Sequence, residues 1–186
     1  MIKISAKLVS GLFLLCTGWL LTACEEQKKV AASKPYTGPL EEINNVQVLF
    51  SEGGQLKVKM NTPLQLKYEN DDRIYPKQVD IEFFGPNKEV MTTLRADSGR
   101  YINDKNLYKV MGNVVVINKQ KNEQLKTDEL TWNPVTKKVY TEKAVNILLK
   151  NTGERLDGDG LDSNQDFSEY TIRRPRGIFR VEPGTF

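Results

Sequence analysis

Leu94-Arg95-Ala96-Asp97, echoed at Leu125-Lys126-Thr127-Asp128 and again at Leu156-Asp157-Gly158-Asp159, sets a period of 31 residues in this 186-residue chain. Each copy runs on into a β-rich stretch. Val114, Val145 and, less well, Arg176 share one offset from the leucine, and Val116, Ile147 and Ile178 share another. Repeats of this length mark supersecondary units that cannot bury an apolar face alone and must stack to build a continuous seam.

Outward from the echo, apolar residues alternate with polar ones: Val46/Val48/Phe50, Leu56/Val58/Met60, Leu64/Leu66/Tyr68 and Val79/Ile81/Phe83. Period two specifies strands, and no window carries helical spacing. Turn chemistry punctuates them at Gly53-Gly54, Asn70-Asp71-Asp72, Gly85-Pro86-Asn87, Asn103-Asp104-Lys105, Asn133-Pro134, Asn151-Thr152-Gly153 and Asn164-Gln165-Asp166. The fold class is all-β, and the echo favours an elongated twisted β-jelly roll, an open trough of short antiparallel strands. The expected inward positions are Leu66, Ile81, Phe83, Leu94, Val114, Val116, Leu125, Trp132, Val145, Ile147, Leu156 and Ile178. A packed core and a partly hollow trough give the same alternation, so both readings stand.

The ends have a different character. Residues 1–23 read as an export signal, with Lys3 and Lys7 ahead of an apolar run from Leu8 to Leu21. Leu21-Thr22-Ala23-Cys24 has the form of a lipobox, which makes Cys24 the lipid-bearing first residue of the mature chain. An uncleaved anchor is the alternative, although the run is shorter than the roughly 20 residues of a spanning helix. Either way the chain is tethered to a membrane. Residues 24–41, broken by Pro35, Gly38 and Pro39, read as a flexible tether, residues 42–181 as one β-domain, and residues 182–186 as a tail.

Composition then excludes several chemistries. Removing Lys3 and Lys7 from a formal net charge of +3 leaves the mature chain near neutral, which gives no bulk case for nucleic acid as a partner. Cys16 lies in the signal and Cys24 is the lipid site, so the folded part holds no thiol for a disulfide or a nucleophile. Histidine is absent, and with it the commonest general base and transition-metal ligand. The run Asp157-Gly158-Asp159-Gly160-Leu161-Asp162 invites a calcium reading, but an EF-hand register puts Asp162 where glycine belongs and Ser168 where glutamate belongs. A bend with close backbone approach at Gly158 and Gly160 is the better reading. Paired carboxylates such as Asp71/Asp72, Glu41/Glu42 and Asp128/Glu129 point to opposite faces of a strand and suit solvated charge better than acid catalysis. No catalytic residue, metal site or cofactor is expected, and the chain is not read as an enzyme. Arg173-Arg174-Pro175-Arg176 with Arg180 is the densest positive patch, suited either to phosphates or to protecting a sheet edge. If that edge recruits a partner, Gly177, Ile178, Phe179, Arg180 and Val181 are the residues expected to pair.

Ala96-Asp97-Ser98-Gly99-Arg100-Tyr101, then Leu107, Gly112-Asn113-Val114, and Leu125-Lys126-Thr127-Asp128-Glu129-Leu130-Thr131-Trp132 together resemble the LptC family of lipopolysaccharide export proteins. Gly158-Asp159-Gly160-Leu161, leading to Phe167 and Tyr170-Thr171-Ile172, extends the resemblance over roughly residues 42–180. It implies a β-jelly roll open along one side, with lipid A acyl chains of lipopolysaccharide in the apolar interior. It also implies two partners: an inner-membrane ABC transporter at one sheet edge and an LptA-like periplasmic bridge protein at the other, the latter by strand addition. The expected location is the periplasm, anchored to the inner membrane. The familiar pattern has an uncleaved N-terminal helix, from which the lipobox at Cys24 departs. The competing reading is a generic β-rich lipoprotein with a structural or adhesive role, a dry core and no lipid cargo.

Overall fold

Alternation at period two produces twelve strands and a single-turn 3-10 helix at Asn103–Lys105, with no α-helix among residues 35–177, the part of the chain that this computed structural model describes. The strands are β1 (Glu41–Glu52), β2 (Gln55–Lys67), β3 (Arg73–Tyr75), β4 (Val79–Phe84), β5 (Val90–Ala96), β6 (Ser98–Ile102), β7 (Leu107–Asn118), β8 (Glu123–Asn133), β9 (Lys138–Leu149), β10 (Glu154–Asn164), β11 (Tyr170–Ile172) and β12 (Arg176–Gly177). The first begins at Glu41, and the Leu40 N–H already bonds the Lys67 carbonyl at 2.7 Å, one step ahead of the expected boundary. The signal segment, Cys24, most of the tether and residues 178–186 lie outside the described residues.

Six of the twelve strands are halves of longer ones. β3 pairs β6 and β4 pairs β5, while β2 runs beside both β3 and β4 and β7 beside both β5 and β6. β11 and β12 likewise both lie along β10. Counting each interrupted strand once, twelve less three, the sheet is a nine-strand antiparallel meander in which every strand pairs its neighbour in sequence. Contrary to the expectation of short strands, six of them are long, from 11 to 13 residues. Each is creased near its middle.

The crease has identifiable chemistry. Asn45 and Asn113 have φ of 54° and 43°, and Gly112 and Gly160 have φ of 79° and 116°, all in the left-handed half of backbone space. The pairing register slips between Met111 and Val114, between Thr127 and Thr131, and between Asp159 and Leu161, as β-bulges require. Pro63, Pro76 and Pro175 withhold a backbone donor from the ladder at the same level. The aspartate of each echo, Asp97, Asp128 and Asp159, stands on this line.

The leucines stand on another. Val48 faces Met60, Met60 faces Ile81, and the chain of direct cross-strand partners continues through Leu94, Val116, Leu125 and Ile147 to Leu156. One row of eight apolar side chains therefore crosses eight strands, and the period of 31 is one descent and return of the meander. The repeat is a strand pair within one sheet, where stacked units had been expected. Each of these side chains contributes about 1.5–3 kcal/mol when fully buried, as an upper estimate.

Folding at the crease brings the two halves of the sheet together. Phe50 on β1 meets Trp132 on β8 edge-on at 5.4 Å, and Phe83 on β4 meets Phe167 of the β10–β11 turn at 5.8 Å. Glu52 pairs with Lys137 at 2.7 Å, tying the β1–β2 turn to the β8–β9 turn. The β10–β11 turn folds over the far end, where the Thr92 hydroxyl donates to the Asp166 carbonyl at 2.8 Å and the Asn118 amide to that of Phe167 at 3.0 Å. Gly158 and Gly160, expected at a bend between strands, lie in the middle of β10. A side chain at Gly158 would overlap Ile172 and approach the Arg173 carbonyl to 2.8 Å, so the close approach expected of these glycines is present.

Candidate functional site

The interior between the half-sheets is built from the apolar row on one side and an aromatic row on the other. Tyr101, Tyr108 and Trp132 are successive cross-strand partners on β6, β7 and β8, with ring centroids 4.7 Å and 5.2 Å apart. Offset aromatic pairs at such separations add about 0.5–1.5 kcal/mol beyond area burial. A second row, Tyr75–Gly99–Val110–Leu130, runs nearer the crease. The Tyr75 ring packs against Gly99, where a Cβ would meet it at an ordinary contact distance of 3.4 Å.

The cavity between these rows has a volume of about 40 Å³. That holds two or three waters. It is lined by Val48, Phe50, Val58, Met60, Tyr75, Ile81, Phe83, Leu94, Tyr108, Val110, Leu130, Trp132 and Val139, together with Gly99, Arg100 and Lys109. A second void of about 10 Å³ lies among Val116, Asn118, Glu123, Leu125, Ile147, Phe167 and Tyr170.

Among the positions expected inside, Phe83, Leu94, Val114, Val116, Leu125, Val145 and Ile147 are buried in the core, and Ile81, Trp132 and Leu156 pack against it. Ile81, Phe83, Leu94 and Trp132 line the first void, and Val116, Leu125 and Ile147 the second. Leu66 is a correction: it is half-buried, pairs with Glu42 and Ile74, both exposed, and belongs to the outer face. Pro63 and the left-handed Asn45 opposite it interrupt the alternation, so Thr62 and Gln65 both turn inward and the phase is reversed at Leu66. Ile178 lies outside the described residues, as do Phe179, Arg180 and Val181; Gly177 is exposed and pairs with Leu156. Tyr75, Val110, Leu130, Val139 and Leu161 were missed. Tyr75 sits in a three-residue strand with no alternation to read.

Electrostatics set the interior apart from the surface. Burial pushes the Tyr75 hydroxyl up to about 12, with neighbouring Tyr108 adding to the rise and Arg73 opposing it. Burial raises Tyr108 as well, and it raises Tyr170, which also donates to Glu123 at 3.0 Å. The arginine cluster is engaged within the fold. Arg173 donates to both Glu142 carboxylate oxygens at 2.9 Å and to the Thr141 carbonyl at 2.7 Å, while Arg176 and Arg174 reach Asp159 at 2.9 Å and 3.5 Å. It fastens β11 and β12 to β9 and β10. The acidic run of β10 is taken up as well, since Asp157 accepts from Asn146 at 2.7 Å and Asp162 lies 3.3 Å from Arg173.

An antiparallel sheet folded over an apolar interior is the arrangement of a β-jelly roll. Residues 8–173 match the family model described as "Lipopolysaccharide-assembly, LptC-related", and the chain belongs to that family. No curated protein matches it. Membership ties the chain to lipopolysaccharide transport as a component of the transport machinery, in a family that faces the periplasm in association with the inner membrane and is not a family of enzymes.

Proposed function

We propose that this protein holds the lipid A acyl chains of lipopolysaccharide between its half-sheets and passes them from an inner-membrane ABC transporter to an LptA-like bridge protein. The unbroken apolar row from Val48 to Leu156 carries the reading, since it offers equivalent contacts strand after strand. A dozen buried methylenes are worth up to about 10 kcal/mol at ~0.8 kcal/mol each, which at a single deep site would trap the cargo. Similar neighbouring sites let it move. Because a methylene is larger than water and the void takes only a few waters, a chain enters by parting the layers along the crease. Among the described strands, the outer edges of β1 and of β11–β12 are where a partner strand can continue the sheet. Cys24 supplies the lipid anchor on the inner membrane.

The near-filled interior favours a second reading, a lipoprotein of structural or adhesive role with a dry core. Photocrosslinking from Phe83, Val116 and Ile147 in cells separates the two. Lipopolysaccharide adducts support transport through the interior, and their absence at all three positions overturns it. Replacing Cys24 with Ser removes acyl labelling and membrane retention if the lipobox operates; labelling that persists refutes the anchor.

A further inference from the structure

The Tyr75 side chain is 1% exposed, and its hydroxyl is buried without a hydrogen-bond partner. The indole nitrogen of Trp132 is buried in the same condition, and both residues line the same void. Native interiors satisfy more than about 90% of their buried polar groups, so two unsatisfied donors on one small apolar space call for an explanation. Arg73 is near enough to oppose the rise in the Tyr75 pKa, but no hydrogen bond of ordinary geometry joins the two, and its guanidinium lies 5.3 Å above the Tyr101 ring. Lys109, also on the lining, is held by Glu129 at 2.8 Å.

We propose that this void is a subsite for an oxygen atom carried on an acyl chain, with the Tyr75 hydroxyl and the Trp132 N–H as its donors. The proposal rests on the acyl-cargo reading above and adds a selectivity to it. A bare alkyl chain pressed between the half-sheets leaves both donors unpaired in an apolar setting. A hydroxyl or ester oxygen on that chain offers them lone pairs. Neither donor atom exposes surface to the void in the closed fold, so the oxygen reaches them as the entering chain parts the lining. Packing fixes the orientation of both rings, since Tyr75 is set over Gly99 and Trp132 is wedged between Phe50 and Tyr108. Preorganised donors discriminate strongly because a ligand lacking the acceptor strands them.

The test uses the membrane-anchored protein in lipid nanodiscs, in which Trp132 is the single tryptophan once residues 1–23 are removed, and Trp19→Phe ensures the same where that segment is retained. Dodecanoic acid and its 3-hydroxy and 12-hydroxy forms are titrated against Trp132 emission. At least one hydroxy acid is expected to bind roughly tenfold tighter than the plain acid, the factor matching one recovered hydrogen bond of about 1.4 kcal/mol. Tyr75→Phe is expected to cut that preference to about threefold or less while leaving dodecanoate binding in place. Trp132→Phe, read by displacement of a crosslinked diazirine-bearing dodecanoate, is expected to do the same. Equal binding of all three acids, or a preference that survives both substitutions, overturns the subsite and leaves the acyl-cargo reading standing. If none of the acids perturbs Trp132 or displaces the crosslinker, the acyl-cargo reading itself fails.

Discussion

Gly158→Ala isolates one contact on which the last strand depends. The φ of Gly158 is not in the left-handed region, so alanine brings no backbone strain, and its single added carbon acts through space alone. That carbon overlaps the Ile172 Cγ2 methyl and lies 2.8 Å from the Arg173 carbonyl, which itself accepts the Asp159 N–H at 2.9 Å. The ring of contacts gives little slack, because Arg173 is also pinned by Glu142 and Thr141. Overpacking of this kind costs about 1–3 kcal/mol. Denaturant titration gives the global figure. Hydrogen exchange at the Asp159 and Arg173 amides, the latter bonded to the Gly160 carbonyl at 3.0 Å, shows whether β11–β12 has lifted from β10. Trimming the obstacle in Gly158→Ala/Ile172→Ala should return part of the loss. Gly158→Ala as stable as the parent to within about 0.3 kcal/mol, with both amides still protected, would refute the argument that this strand is seated by the absence of a side chain.

Leu94→Ala and Leu125→Ala should each lose about 2–5 kcal/mol in urea titration, and the half-buried Leu156→Ala less, because they occupy one row at different depths. Tyr75 takes up its proton more tightly when folded, so its contribution is fully present below its unfolded value near 10 and is lost as pH rises toward about 12. Unfolding free energy measured between pH 8 and 11 should fall on the alkaline side, and Tyr75→Phe should flatten that fall; an unchanged slope contradicts the burial of the hydroxyl. Arg173→Lys retains the charge but cannot serve Glu142 from Nη1, the Thr141 carbonyl from Nη2 and Asp162 from Nε together, and should cost about 1–2 kcal/mol after allowance for its partial exposure, as seen in thermal melts.

Much of this architecture is legible in the residues, because alternation and turn chemistry are local. Gly53-Gly54, Gly85-Pro86-Asn87 and Asn151-Thr152-Gly153 all fall in or at turns of the meander. The turn at Lys119–Asn122 is the exception: its only conventional cues are asparagines, and Asn122 takes φ of 54° there. What alternation does not transmit is phase across a crease. Leu125 and Trp132 both reach the interior although seven residues separate them on one strand, an odd step that is possible only because the register slips between Thr127 and Thr131. Leu66 suffers the opposite shift at Pro63. The unpartnered hydroxyl of Tyr75 and indole nitrogen of Trp132 were equally hidden, since a missing hydrogen bond is a property of the assembled surroundings and of no residue type.

The row from Val48 to Leu156 also says how this protein can change size. Since each 31-residue period is one strand down and one strand back, a duplication of that length inserts two strands and widens the sheet by about 10 Å, at 4.8 Å a strand. The aspartate keeps its place on the crease and the leucine its place in the row, so neither the fold line nor the interior has to be redesigned. A deletion of one period shortens the sheet by the same step. Length in this architecture is quantised, and the distance the protein can span is a count of leucine-to-aspartate periods.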